Sequence, residues 1–153
     1  MDLILWRHAE ALEAAADEHD LQRPLTPKGE RQAARMAQWL DQRLPEGVRI
    51  FCSPARRAEQ TALALGRKYK VRDALAPGAT VQDVLEAAAW PRARNPVLLV
   101  GHQPALGAVL SHLFGLGPQP VSMRKGAVWW LRCRQRDGQP QTLIMSVMTP
   151  DKV

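Results

Sequence analysis

Apolar residues fall into two patterns along the chain. Short runs at residues 3–6 (Leu-Ile-Leu-Trp), 48–52 and 97–100 (Val-Leu-Leu-Val) read as short buried strands, the last most clearly because turn residues bound it. Between them, apolar positions return every three or four residues, as helices require. Ala33, Met36, Ala37, Leu40 and Leu44 form one stripe, opened by Thr26 as a cap and Pro27 at the first helical position. Ser53-Pro54 has the same start chemistry, and its helix is expected to run through Tyr69, burying Ala58, Ala62 and Leu65. A shorter stripe, Val81, Val84, Leu85 and Ala88, follows a Pro77-Gly78 turn. Leu106, Val109, Leu110 and Leu113 make a fourth, broken by residues 115–120.

Residues 127–131 and 142–148, joined through Asp137-Gly138, read as a terminal β-hairpin. The polar, acidic stretch up to His19-Asp20 reads as a loop or a frayed helix. Strands alternating with helices over the first two thirds predict an α/β fold: a three-layer α/β/α sandwich with a mostly parallel central sheet and an antiparallel edge.

Composition narrows the class. The 153 residues are 46% hydrophobic and 24% charged, which predicts one globular domain over residues 1–153. The apolar start is cut off at Arg7 and is too short for a signal peptide or a spanning helix, so a cytoplasmic protein with no membrane partner is expected. Cys52 and Cys133 sit in strand-like segments and read as core thiols. With no Cys/His cluster at ligand spacing, neither metal nor other cofactor is expected. A net charge of +6 and a pI near 10.0 point to an anionic partner. The basic residues are scattered rather than blocked, so nucleic acid is not expected.

Ligands of open α/β sheets bind beyond the carboxyl ends of the strands. Three strand exits carry chemistry: Arg7-His8-Ala9-Glu10, Ser53-Pro54-Ala55-Arg56-Arg57-Ala58 and Gly101-His102-Gln103-Pro104. A single histidine after a strand is usually a hydrogen-bonded structural residue, and a single arginine in a first helical turn is usually a solvated surface group. Two histidines and at least two arginines converging on one sheet edge point instead to an anion site. His19 and His112 keep the structural reading.

These blocks resemble those of the histidine phosphatase superfamily. Residues 3–10, Leu-Ile-Leu-Trp-Arg-His-Ala-Glu, are similar to its strand ending in Arg-His-Gly, with Ala9 in place of the glycine. Arg23-Pro24-Leu25-Thr26-Pro27-Lys28-Gly29 resembles its L-T-x-x-G helix start, and residues 53–61 resemble S-P-x-x-R-A-x-Q-T. Gly101-His102-Gln103-Pro104 completes the set, and the SixA-type phosphohistidine phosphatases are the most similar members. The resemblance implies a phosphoglycerate-mutase-like fold, His8 as nucleophile on phosphorus, His102 as the second catalytic histidine, and Arg7 and Arg57 as phosphate ligands. Arg56 then lies at the rim, Arg23 is an auxiliary basic residue, and Glu10 either orients the site or is a solvated loop carboxylate. Side-chain direction agrees with Arg57, since helical side chains lean toward the N-terminus and an anion held there.

The chemistry asks for these residue types. A transferring phosphoryl group spreads charge over its oxygens, which two planar guanidiniums grip, a protonated His102 donates to another oxygen, and His8 attacks with one ring nitrogen while the other N–H is fixed by a carbonyl or carboxylate. Only residues 70–96 separate the second helix from the third main strand, which leaves no room for the lid that supplies larger members with a general acid. Asp83 and Glu86 lie there as weak acid candidates. Phosphohistidine, with its labile P–N bond, needs an acid less than an alkyl phosphate does. A phosphorylated protein substrate, of the histidine phosphotransfer-domain kind, is therefore expected. The alternatives are a phosphatase for small phosphomonoesters and a phosphate-recognising module without turnover.

Overall fold

The computed structural model describes residues 1–14 and 19–153. In chain order the elements are β1 (Asp2–Arg7), α1 (Pro27–Asp41), β2 (Arg49–Cys52), α2 (Arg56–Leu63), β3 (Lys70–Val71), α3 (Val81–Ala87), β4 (Val97–Gly101), α4 (Ala105–Phe114), β5 (Val128–Arg136) and β6 (Gln139–Met148). They build a six-stranded sheet in the order β3-β2-β4-β1-β5-β6. The four strands from β3 to β1 run parallel, and β5 and β6 add an antiparallel edge. This is the α/β architecture that the alternation predicts.

The strand runs are apolar throughout because both faces are covered. Ile4, Trp6, Leu98 and Val100 pack with Met36, Leu40, Ala58 and Ala62 of α1 and α2. Their alternate neighbours Leu3, Leu5, Val97 and Leu99 pack on the opposite face with Val84 of α3 and Leu106, Val109 and Leu110 of α4. Period-two alternation thus sends successive residues into two cores. Trp6 is fully buried, and its indole N–H donates to the Gly126 carbonyl at 3.1 Å, so its one polar atom is satisfied.

Local chemistry explains most boundaries. Thr26 caps α1 by accepting from the Gly29 N–H at 2.9 Å, with Pro27 at the first position. Gly29 is required by packing: a Cβ there would collide with the Glu10 carbonyl oxygen, which already accepts from the Thr26 N–H. Several boundaries differ from the sequence expectation. α2 starts at Arg56 with Ala55 as N-cap, whose methyl side chain has no oxygen to cap with, while the Ser53 hydroxyl accepts from the Ala55 N–H one step earlier and lies against His102. It ends at Leu63 rather than Tyr69, since Gly66 turns the chain with φ +71°, although Leu65 is still buried. The terminal hairpin is longer than its apolar core suggested, because polar residues 132–136 and 139–141 continue the ladder up to the Asp137-Gly138 turn.

Candidate active site

Register brings the strand exits together. Arg7 of β1 pairs with Gly101 of the adjacent parallel β4, so the residues immediately beyond, His8 and His102, lie side by side with ring centroids 5.1 Å apart. β2 flanks β4 on its other side and delivers Ser53 and the start of α2, whose second residue is Arg57. Arg7, His8, Arg23, Arg57, His102, Gln103 and Lys125 line one cavity of about 220 Å³, together with Ala11, Glu13 and Pro77.

The other residues of these sequence blocks are struts. The His8 N–H donates to the Gly101 carbonyl at 3.1 Å and its own carbonyl accepts from the Gly126 N–H. The Ala9 N–H donates to Thr61 Oγ1 at 3.1 Å, and Thr61 donates to the Arg57 carbonyl at 2.8 Å, so α2 is tied to the loop after β1. Gln60 accepts from the Leu25 N–H at 2.7 Å, and Gln32 accepts from the Glu10 N–H at 3.0 Å. Ala9 has no positive φ, so alanine carries no backbone strain there, and its methyl packs on Leu25 and Ala33.

His8 is held for one protonation state. Its Nδ1 lies 2.7 Å from the Ala9 carbonyl oxygen, which can only accept, so the ring proton sits on Nδ1 and Nε2 keeps its lone pair. Burial, with the charges of Arg57, Arg7 and Arg23, lowers its pKa to about 4 against the pull of the Ala9 bond. The imidazole is neutral at pH 7. The protein's own groups also hold His102 neutral: burial, then the neighbouring His8 and Arg57, push its pKa down to about 3, so the expected imidazolium is not one that the protein by itself forms. Its Nε2 lies 2.7 Å from Ser53 Oγ.

The two arginines share an unusual feature. Arg7 donates to the Met123 carbonyl at 2.7 Å, and Arg57 donates to the Asp20 carbonyl at 2.9 Å and to its carboxylate at 3.2 Å. In both, the Nε atom is buried and meets no acceptor among the described residues. A buried donor on a charged group costs about 1–3 kcal/mol when unpaired, and both guanidiniums belong to residues that line the one cavity, whose two fixed positive charges suit an anion.

Asp20 is the residue the sequence reading missed. It clasps Arg57 and also accepts from Arg23 Nε at 3.0 Å. Burial opposes its ionisation, but the combined pull of Arg57 and Arg23 holds its carboxyl below the usual range. Nothing in its polar surroundings distinguished it, because its partner lies 37 positions away. Glu13 also lines the cavity and carried no sequence signal.

Other expectations fall outside the cavity. Arg56 is exposed and does not line it. Glu10 accepts from Thr26 Oγ1 at 2.8 Å and approaches Lys125 at 3.9 Å, a loop strut beside the site. Asp83 closes a capping box with Thr80 at the start of α3, and Glu86 accepts from Gln82. Neither reaches the cavity. His19 accepts from the Leu21 N–H, and His112 lines a separate groove of about 750 Å³ with Leu85 and Trp90. Among the described residues no three His, Cys, Asp or Glu side chains cluster as a metal site, and no helix is long and apolar enough to cross a membrane.

A parallel sheet edge carrying two neutral histidines between two part-satisfied arginines defines an anion-handling α/β protein of the phosphoryl-transfer kind. The chain belongs to the histidine phosphatase superfamily: residues 3–78 match the profile of its branch 1, and it is 30% identical to a phosphohistidine phosphatase SixA homolog of Haemophilus influenzae across 98% of this chain and 97% of the relative. Solved structures agree. One described as a candidate phosphohistidine phosphatase SixA, from Nakamurella multipartitia, superposes with a TM-score of 0.77 at 33% identity, covering 97% of this chain and 95% of that one. The protein histidine phosphatase SixA complexed with tungstate gives 0.76 at 27% identity, covering 99% and 98%.

Proposed function

We propose that this chain removes phosphate from phosphohistidine on a phosphotransfer protein in the cytoplasm, through a phosphoenzyme formed on His8. The observation that carries the reading is the one cavity lined by Arg7, Arg57, His8 and His102, which sets two guanidinium charges beside the free Nε2 of His8. Two such forks take the equatorial oxygens of a phosphoryl group, where transition-state charge develops.

In the first step the Nε2 lone pair of His8 forms a bond to phosphorus as the P–N bond of the substrate breaks. The departing imidazole nitrogen takes a proton from solvent at the open mouth. The Nδ1–H bond to Ala9 disperses the positive charge that builds on the His8 ring. In the second step water attacks phosphorus, the His8–P bond breaks, the water's proton is released to solvent, and phosphate leaves.

Size and openness support a protein-borne substrate. A cavity of about 220 Å³ accommodates a phosphoryl group and its attached ring but little more. Asp83 and Glu86 are engaged away from it, and the chain between α2 and β4 borders it through Pro77, a residue with no acid to offer. Poor leaving groups are therefore disfavoured, and a mutase, which must shield its phosphoenzyme from water, is disfavoured with them.

The test compares kcat/KM for a phosphohistidine protein and for a panel of sugar and other alkyl phosphates. Phosphohistidine should be preferred by orders of magnitude. A sugar phosphate as the best substrate would replace this reading with small-molecule phosphatase chemistry, and no turnover of either would leave a binding module.

A further inference from the structure

Ser53 is fully buried and its hydroxyl sits between two partners. Oγ accepts from the Ala55 N–H at 3.1 Å and lies 2.7 Å from His102 Nε2. A hydroxyl has one proton to give and two lone pairs to accept with. Among the described residues no other acceptor lies within reach of that proton. If His102 donated from Nε2, the buried Ser53 proton would be left unpaired, at a cost that native interiors avoid. If Ser53 donates to Nε2, both the Ser53 hydroxyl and His102 Nε2 are satisfied, and only the ring's Nδ1–H is left to seek a partner.

We infer that Ser53 is a positioning residue that fixes His102 as the neutral tautomer with its proton on Nδ1, making it an uncharged hydrogen-bond donor to the phosphoryl group. The inference rests on the reading of the cavity as a phosphoryl site. His102 Nδ1 has no protein partner among the described residues, and the ring lines the cavity, so this nitrogen is the one left for a ligand oxygen. The surroundings agree on neutrality: burial disfavours the imidazolium, and the facing charges of Arg57 and Arg23 outweigh the opposing carboxylate of Asp20.

A neutral donor has a consequence that a cation would not. The site holds its positive charge on the arginines, and His102 adds direction without adding further attraction for the product phosphate.

The experiment is long-range ¹H–¹⁵N NMR of histidine-labelled protein at pH 7 without substrate, with His102→Gln used to assign the ring. His102 should appear as the pure Nδ1–H tautomer. In Ser53→Ala it should become a mixture, with kcat down by about tenfold, the equivalent of one hydrogen bond, and KM changed far less. Ser53→Thr, which keeps the hydroxyl, should restore both tautomer and rate. An Nε2–H tautomer or an imidazolium in the wild type overturns the inference, and that readout stands even if the variants do not fold. A Thr variant that behaves like the Ala variant assigns the effect to packing and also overturns it. Loss of phosphohistidine turnover as the native activity would instead remove the parent reading, with the tautomer still observed.

Discussion

Lowering the pH from 7.5 to 4.5 should destabilise the protein through the two site histidines. An unfolded histidine takes up a proton near pH 6.5, whereas folded His8 resists until about 4 and folded His102 until about 3. Below 6.5 the unfolded chain therefore binds more protons than the folded one. Stability is complete above about 6.5 and falls as the pH drops through the window down to about 4 and 3. At pH 4.5 each buried ring accounts for about 2.5 kcal/mol, so the pair removes about 5 kcal/mol, comparable to the whole stability of many domains. The carboxylates do not confuse the reading, because Asp2 and Asp20 titrate below their ordinary 3.8 and lose their contribution only further down. Urea denaturation at half-unit pH intervals measures this directly, and His102→Gln should halve the loss. Stability that stays level between pH 6.5 and 4.5, then collapses only below 4, would refute buried neutral histidines.

Other expectations follow from the site's geometry. Arg7→Ala and Arg57→Ala should each lower kcat/KM by about 100-fold, near 3 kcal/mol of transition-state stabilisation, while exposed Arg56→Ala changes it little. If Arg56 proves the costly one, the phosphate ligand is misassigned. Asp83→Asn and Glu86→Gln should leave phosphohistidine hydrolysis nearly intact, with any loss confined to the melting temperature through the α3 cap, and a halt in turnover would make one of them the missing acid. Gly29→Ala should cost at least about 1–3 kcal/mol of stability in thermal melts, because its methyl must displace the Glu10 backbone.

The layers of the fold were legible because the strands are apolar on both faces and three helices carry clean stripes. Arg7, His8, Arg57 and His102 stood out as candidates because they lie at or just beyond the ends of strands that the pattern reveals, and the fold brings all four to one cavity. What escaped the sequence depends on contacts distant in the chain. Asp20 looks like any loop carboxylate until the fold lays it against Arg57, and the Ser53 hydroxyl looks like a helix cap until β4 brings His102 beside it. The resting neutrality of His102 escaped for a related reason: charge depends on burial and on the other cations, neither of which a strand exit discloses. The early stop of α2 turns on one glycine at positive φ.

The central claim is that phosphate passes through His8. Rapid mixing with a phosphohistidine protein labelled on phosphorus, followed by an alkaline quench and peptide mapping, should trap the label on His8 of the wild type and on no residue of His8→Ala. Label on Ser53, or on Cys52, whose buried thiol is pushed far above the usual range, would contradict the account.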